Sequence, residues 1–189
     1  TTTQLKDQAP TTPLDGQQFM AQLAQFSTLN GIIEMKQSLD TLTQSLQSMN
    51  TLQASNLVGH SVLIDGQKAY LDAEGPIAGR ADITEPANKV TVVVTGAAGS
   101  EIRRIDLGAK PKGPVDFRWD GLDGNGARVA PGVYTFRVEG TVADGKSSSF
   151  DTQLWAKVDS VSFGQAGKET TLSLAGIGSY GLSQIKEVH

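Results

Sequence analysis

The sequence changes character near Asn56, and this change constrains the fold more than any other feature. Before it the chain is rich in Gln and Thr and holds only two of the 21 glycines, Gly16 and Gly31. After it the chain is Gly-rich and carries most of the aromatic residues. Gly-poor, Gln-rich sequence favours helix, whereas aromatic sequence interrupted by glycines favours strands and turns. We therefore predict an N-terminal helical oligomerisation region, residues 1–57, followed by a mainly β body.

The helical region has a predicted start and a predicted interruption. Asp15 is placed to cap a helix, with Gln18 three residues later at the reciprocal capping position. Apolar residues then recur at helical spacing, at Phe19, Leu23, Phe26 and Ile33. Asn30 interrupts this row, and we expect Gly31 to bend the helix.

A strict heptad pattern follows the expected bend. Six apolar residues recur at intervals of 3, 4, 3, 4 and 3, namely Ile32, Met35, Leu39, Leu42, Leu46 and Met49. A stripe that contains only two of every seven residues is too narrow for the buried face of a helix in a globular protein. It is typical of a contact between helices. We predict that this stripe, together with Phe19, Leu23 and Phe26, joins subunits into an oligomer. The alternative is an ordinary helix packed on its own domain.

The second part has the pattern of short strands separated by turns. Asp65-Gly66 lies between candidate strands 61–64 and 67–71 and predicts a two-residue hairpin. Strands at the spacing of a β-sandwich follow, at 89–94, 102–107, 115–119, 133–138 and 147–154, with Val115, Phe117, Trp119, Tyr134, Phe136 and Val138 facing inward. Further strands are predicted at 157–163, 170–174 and 182–188. We expect the outer strands to pair into a small barrel with the sandwich inserted between them, or else to extend the sandwich.

Composition argues against several classes of function. The chain has no cysteine, which excludes disulfides, thiolate nucleophiles and Cys-based zinc sites. A net charge of −4, with charges of both signs spread along the chain, argues against a nucleic-acid partner. The apolar runs are much shorter than the roughly 20 residues needed to cross a bilayer, so we predict no membrane partner. Thr1 to Pro13 has no pattern of a cleavable signal peptide, although an export signal upstream of Thr1 is compatible with the sequence.

Candidate chemical sites are weak. The loop from Asp120 to Gly126 resembles a calcium loop, but Ala127 and Tyr134 stand where an EF-hand needs ligands, so we predict a turn. His60 is the one internal histidine, and a solvated or hydrogen-bonded role is favoured. Asp151 and Asp159 are the carboxylates considered as a glycosidase pair. We predict no catalytic, cofactor-binding or metal-binding residues and no cofactor.

Three stretches resemble the flagellar hook-capping family. Residues 13–29, PLDGQQFMAQLAQFSTL, are similar to its N-terminal signature. Residues 117–126, FRWDGLDGNG, with residues 131–138, PGVYTFRV, resemble its fibronectin-like domain, and residues 57–60, LVGH, resemble the start of its Tudor-like domain. The resemblance implies a fibronectin type III-like sandwich, residues 84–155, inserted into a Tudor-like barrel formed by residues 58–83 and 156–189. Residues 175–181, AGIGSYG, depart from the family pattern.

The resemblance also implies a function. It predicts a non-enzymatic scaffold that forms an oligomeric, pentameric cap at the tip of the growing hook and promotes hook-subunit assembly. Its partners would be copies of itself, hook protein subunits and the flagellar type III export apparatus. It would lie outside the cell at the distal end of the hook, exported without a cleavable signal peptide. The alternative is a carbohydrate- or polymer-binding β module of a secreted protein, with exposed Trp155 or Tyr180 as a binding platform.

Overall fold

The computed structural model describes residues 13–164 and 167–189, which form one long α-helix, eleven β-strands and a short 3-10 helix. Thr1 and the other residues before Pro13 lie outside the described part. The chain divides between Met49 and Asn50 into two compact units. Helix α1 (Pro13–Ser55) supplies all the described residues of the first unit. The strands belong to the second.

Helix α1 runs without interruption for 43 residues. Its described part starts with Pro13, a residue that suits the first turn of a helix, where no backbone donor is required. Asp15 therefore lies within the first turn, near the positive end of the helix dipole, and its prediction as the N-cap was wrong. Helix α1 continues through Asn30 and Gly31 without a break, and the bend expected at Gly31 stays a prediction. A single internal glycine costs about 1 kcal/mol, which does not stop a long helix from propagating.

The strands of the second unit pair in an antiparallel manner throughout. In chain order they are β1 (Ser61–Asp65), β2 (Lys68–Leu71), β3 (Ile77–Ile83), β4 (Ala87–Thr95), β5 (Glu101–Lys110), β6 (Gly113–Trp119), β7 (Gly132–Val142), β8 (Ser147–Ser162), β9 (Thr171–Leu174), β10 (Gly178–Gly181) and β11 (Ile185–Val188). The 3-10 helix (Leu182–Gln184) precedes β11.

The larger hydrophobic cluster is built by β2 to β7 and the first part of β8. One layer has the order β2, β7, β4, β5, and in the other β3 lies between β6 and β8. Trp119 and Phe136 pack edge to face at its centre, with ring centroids 5.8 Å apart. The predicted inward alternation in β6 and β7 is confirmed, since the larger cluster contains Phe117, Trp119, Tyr134, Phe136 and Val138, with Val115 packed against it. The five predicted sandwich strands are likewise confirmed, each as part of a longer strand.

The predicted hairpin at Asp65-Gly66 was wrong. Strand β1 pairs with β8 and β11, whereas β2 pairs with β7. The Gly66 amide donates to the Thr152 carbonyl oxygen at 3.1 Å, and the Phe136 amide donates to the Gln67 carbonyl oxygen at 2.7 Å. Gly66 has φ 156°, which is far from the φ of about 60 to 90° in the tight turn of a two-residue hairpin. Gly66 and Gln67 thus carry the chain from the layer that contains β8 to the layer that contains β7.

A smaller hydrophobic cluster is formed by parts of the chain on both sides of the larger one in sequence. It contains Ala54, Val62, Ile64, Ala156, Val158, Leu172 and Leu174. Strand β8 contributes to both clusters, because alternate residues from Phe150 to Val158 are buried without a break. The predicted division of β8 into two strands near Trp155 is therefore wrong. The Tudor-like character of the strands around the smaller cluster stays a prediction.

The boundaries of the predicted domains need one adjustment. Strands β2 and β3, placed by prediction in residues 58–83 of the barrel, contribute Ala69, Leu71 and Ile83 to the larger cluster. We propose that the inserted unit begins near Gly66 rather than at residue 84. At the other end, Leu154 and Ala156 fall in different clusters, next to the predicted boundary at residue 155.

The C-terminal segment differs from prediction in two places. Strand β10, within residues 175–181, was missed, and it pairs with β9 around a turn at Gly176, which has φ 70°. Residues 182–184, predicted as strand, form the 3-10 helix. The side-chain hydroxyl and the backbone amide of Ser183 both donate hydrogen bonds to the Glu169 carboxylate. These bonds favour the charged carboxylate and therefore lower the pKa of Glu169. The short helix is thereby fixed to the loop before β9.

Candidate assembly surface

The nine side chains predicted to join subunits are all exposed on α1. They are Phe19, Leu23, Phe26, Ile32, Met35, Leu39, Leu42, Leu46 and Met49, and their exposed fractions range from 48% for Leu23 to 66% for Phe26. So many exposed large apolar side chains on one helix are unusual on a protein that works alone and mark contacts with other molecules. No described helix has a segment long and apolar enough to cross a membrane.

Helical geometry divides these nine side chains, together with the exposed Ile33, into two groups. At 100° per residue, Phe19, Leu23, Phe26 and Ile33 share one face of α1, which we call the N-terminal stripe. Ile32, Met35, Leu39, Leu42, Leu46 and Met49 share another, the C-terminal stripe. The centres of the two stripes are about 175° apart around the axis. The nine predicted residues therefore do not form one surface, because the helix continues without interruption between them.

The remaining surface of α1 carries few charges. Its ionisable residues are Asp15, Glu34, Lys36 and Asp40. Many of its hydroxyl groups donate to the carbonyl oxygen four residues earlier, as Thr28, Ser38, Thr41, Thr43, Ser45, Ser48 and Ser55 do. Hydroxyls bound in this way need no water, so they can be covered by a neighbouring helix at little cost.

The end of α1 is anchored in the smaller hydrophobic cluster. Ala54 is only 1% exposed, and Leu57 packs against the same cluster. The Leu57 amide donates to the Ala54 carbonyl oxygen at 3.0 Å, which ends the helix in a tight turn. Gly59 and His60 then exchange backbone hydrogen bonds with Val158 of β8, both at 2.9 Å. Residues 54–60 therefore pack as part of the second unit.

The loop from Asp120 to Gly126 is a turn, as predicted. Asp123 Oδ1 accepts hydrogen bonds from the amides of Asn125 and Ala127, each 2.9 Å long. Gly121 and Gly126 have φ 79° and φ 83°, values that favour glycine. Among residues 13–164 and 167–189, no cluster of three or more acidic or His side chains is arranged to hold a metal ion.

The two carboxylates considered as a glycosidase pair lie far apart. Asp151 and Asp159 are both in the continuous strand β8, eight residues from each other. At about 3.3 Å per residue this places them roughly 26 Å apart, well beyond the separation at which two carboxylates act on one glycosidic bond. This pair is excluded as a glycosidase pair.

His60 makes a contact with the C-terminal residue of the chain. Its imidazole Nδ1 lies 3.3 Å from the His189 carbonyl oxygen.

The proposed aromatic platform is partly covered. Trp155 is half-buried, with its ring 5.9 Å from the imidazole of His189, and Tyr180 packs against the smaller cluster. Trp155 lines an open groove of about 420 Å³ together with Tyr70, Ile77 and Lys157. Neither the Trp155 ring nor the Tyr180 ring is therefore fully exposed as a flat binding platform, although Trp155 borders a groove.

Charged side chains of the β body form surface ion pairs. Arg80 binds Asp116 at 2.7 Å and Glu187 at 3.1 Å, and these hydrogen bonds raise the pKa of Arg80. Arg104 binds Glu101 and Glu139 in the same way, which raises the pKa of Arg104. Exposed pairs of this kind contribute little to stability.

Comparison with known proteins agrees with this architecture. The family model for the N-terminal region of the flagellar hook-capping protein matches residues 1–41, and the model for the FlgD Ig-like domain matches residues 66–144. The basal-body rod modification protein FlgD of Escherichia coli is 34% identical over 98% of this chain and 80% of its own length. Its Salmonella typhimurium counterpart is 31% identical with the same coverage. The chain belongs to the FlgD family of flagellar hook-capping proteins.

Solved FlgD structures resemble much of the chain. A crystal structure of FlgD from Xanthomonas campestris, reported with insights into hook capping essential for flagellar assembly, has a TM-score of 0.65 and 34% identity, covering 73% of this chain and 98% of that one. FlgD from P. aeruginosa has a TM-score of 0.62 and 34% identity, covering 70% and 98%. These matches confirm a mainly β fold with an Ig-like domain.

Helix α1 has three further exposed apolar side chains that the sequence patterns do not predict. Met20, Leu29 and Leu52 are also exposed, by 67%, 51% and 69%. They lie outside the heptad positions, and for that reason the heptad pattern did not select them. The apolar surface of the helix in this FlgD-family chain is therefore wider than a single coiled-coil seam.

Proposed function

We propose that this chain is a non-enzymatic scaffold that forms an oligomeric cap at the tip of the growing bacterial flagellar hook and promotes assembly of hook subunits. Membership of the FlgD family supports the place of action. The main support for the proposal is the row of apolar side chains along α1, each of which is about half exposed or more. A scaffold needs such surfaces to bind its own copies.

The proposed partners follow from this role. Copies of the chain would associate through α1 into a closed cap, which we propose to be a pentamer. The β body would face outward or toward incoming hook protein subunits. The chain would reach this location outside the cell through the flagellar type III export apparatus, without a cleavable signal peptide.

Apolar burial provides the driving force for self-association. At about 25 cal/mol per Å², covering a large aliphatic side chain yields on the order of 1 to 3 kcal/mol. Leu39, Leu42 and Leu46 are more than half exposed and lie at the centre of the C-terminal stripe. We expect these three leucines to contribute most to the contact.

The proposal is tested by placing charges on the C-terminal stripe. We expect the double variant Leu42→Asp and Leu46→Asp of the full chain to be monomeric in light scattering, because carboxylates cannot be buried unpaired in an apolar contact. The circular dichroism of the β body should stay unchanged, since neither residue belongs to its clusters.

The matched control places the same charges at the same spacing outside the C-terminal stripe. Gln44→Asp and Ser48→Asp are exposed on the opposite face of this part of α1. The control variant should remain oligomeric. Unchanged oligomers in the leucine variant, or a monomeric control, would contradict assembly through this stripe.

A further inference from the structure

The exposed apolar residues of α1 are arranged symmetrically about Asn30 and Gly31. Counted outward from the bond between these two residues, large apolar side chains occur at matching distances on both sides, and all are about half exposed or more. The pairs are Leu29 with Ile32, Phe26 with Met35, and Phe19 with Leu42, while Leu23 is one position from the level of Leu39. Residues at equal distances from a turn become neighbours when two helices form an antiparallel hairpin. The spacing therefore fits a helical hairpin that turns at Asn30 and Gly31.

Asn30 and Gly31 are suited to a turn between two helices. Helices commonly end with glycine or asparagine in the left-handed conformation, because these residues adopt it at little cost. The connection in a helical hairpin needs only about two to five residues. Glu34 would lie in the first turn of a helix that starts after Gly31, where the helix dipole favours a carboxylate. The uninterrupted helix, in contrast, loses stability at Gly31 relative to alanine.

The hairpin would bring together side chains that the uninterrupted helix directs to opposite faces. The two stripes are about 175° apart around the axis only while every residue between them is helical. Two hinge residues that leave the helical conformation remove this relation, so that Phe19, Leu23 and Phe26 can turn toward the C-terminal stripe. Asn30, the polar residue that interrupts the N-terminal row, then lies in the turn and need not be buried.

The hairpin register is also compatible with the charges of α1. Each of the four ionisable residues lies level with an uncharged one, namely Asp15 with Leu46, Glu34 with Ser27, Lys36 with Gln25, and Asp40 with Ala21. No two charged side chains of the described helix therefore meet at the same height, and charge repulsion does not oppose the hairpin.

We propose that α1 has a second conformation, a closed hairpin in which residues 13–29 fold back on residues 32–48 of the same chain. This inference rests on the proposed function, and it adds regulation of the assembly surface. The hairpin covers Leu39 and Leu42, which self-association also needs, so the two contacts compete. The uninterrupted helix is the open form, in which both stripes are free to contact other copies.

Protein concentration decides this competition. Residues 13–29 are tethered to their docking surface by a short turn, which costs little loop entropy and keeps their local concentration high. A second copy must be met by diffusion. The closed form therefore predominates in dilute solution, and other copies displace it where the chains are concentrated.

A disulfide within one chain tests the hairpin, because the chain has no cysteine of its own. The full-length double variant Leu23→Cys, Leu39→Cys is oxidised at low protein concentration. We expect an intrachain bond, seen as loss of both free thiols in a chain of monomer mass. In the uninterrupted helix these two positions are about 24 Å apart. A disulfide requires Cα atoms closer than about 7 Å, so the helix must fold back for the bond to form.

The matched control is the double variant Leu23→Cys, Gln37→Cys. Gln37 and Leu39 are both one position from the level of Leu23 in the hairpin. They are about 200° apart around the helix, so Gln37 faces away from the contact. The control should keep both thiols free. Equal intrachain bonding in the two variants, or bonds only between chains, would overturn the hairpin while leaving self-assembly in place.

The effect on assembly is measured by light scattering. The oxidised Leu23→Cys, Leu39→Cys variant should be monomeric, and reduction should restore its oligomers. The full-length Asn30→Ala, Gly31→Ala variant favours the open helix and should assemble at a several-fold lower protein concentration than the wild-type chain. If it needed a higher concentration, the proposed competition would be wrong. If it stayed monomeric at all concentrations, the proposed function would be overturned, whereas the intrachain bond would still support the hairpin.

Discussion

Gly79 in β3 lies where two core side chains close over the backbone. A methyl group added there would be 2.5 Å from Phe117 Cζ, 2.7 Å from Leu154 Cδ2 and 2.9 Å from the Gln153 carbonyl oxygen. We expect Gly79→Ala to destabilise the β body by about 1 to 3 kcal/mol, because the sheet must move to accommodate the methyl group. Thermal unfolding followed by β circular dichroism should show a melting temperature several degrees lower.

The control for this substitution is Gly124→Ala. Its added methyl group would have its nearest neighbour, the Ile102 carbonyl oxygen, at 4.0 Å. This variant should melt close to the wild-type temperature. If Gly79→Ala melted together with it, the close approach of β3 and β8 would not be needed for stability.

Arg128 makes contacts that no local sequence pattern predicts. Its guanidinium donates to the carbonyl oxygens of Asp120, Asp72 and Gly75 at 2.6, 3.0 and 2.8 Å. It thereby joins the turn after β6 to the segment between β2 and β3. The turn itself was predictable from its Asp and Gly residues, but this contact spans more than 50 residues and has no local pattern.

At the scale of elements, α1 continues through a glycine at which the sequence suggests a bend. Gly31 is exposed, and an added methyl group would meet nothing within 4 Å. We expect Gly31→Ala to stabilise the helix by about 1 kcal/mol, because alanine loses less backbone entropy than glycine. The ellipticity at 222 nm should become more negative, and the oligomers should persist.

Gly16→Ala is the matched control, because Gly16 also has open space but lies near the start of the helix. Its gain in helicity should be smaller, since helix ends fray. Loss of oligomers in Gly31→Ala would indicate that α1 bends at Gly31 in the assembly, contrary to an uninterrupted helix.

At the scale of the whole molecule, both stripes of α1 are predicted to take part in self-association. A Phe19→Asp, Phe26→Asp variant places charges on the N-terminal stripe, whereas the Leu42→Asp, Leu46→Asp variant places them on the C-terminal stripe. We expect each variant to associate less than the wild-type chain, because a carboxylate in an apolar contact is buried without a partner.

Sedimentation at high protein concentration checks this prediction, with the wild-type chain under the same conditions as the reference. Full-size oligomers of the phenylalanine variant would show that the N-terminal stripe takes no part in assembly.

The sequence by itself determined the features that depend on nearby residues. The spacing of Leu39, Leu42 and Leu46 indicated a helix with an apolar stripe, and the alternation around Phe117 and Phe136 indicated strands with one buried face. The Asp and Gly residues between Asp120 and Gly126 indicated a turn. These features follow from helical and strand periods and from the conformational freedom of glycine, which act over a few residues.

Only the tertiary structure decided which elements meet. It separated β1 from β2 at Gly66, joined two predicted strands into β8, and placed Asp151 far from Asp159. It also directed the two stripes of α1 to opposite faces by continuing the helix through Gly31. Strand pairing depends on which apolar faces are buried together, and helix continuity depends on the balance of the whole element. Neither quantity is contained in a local pattern.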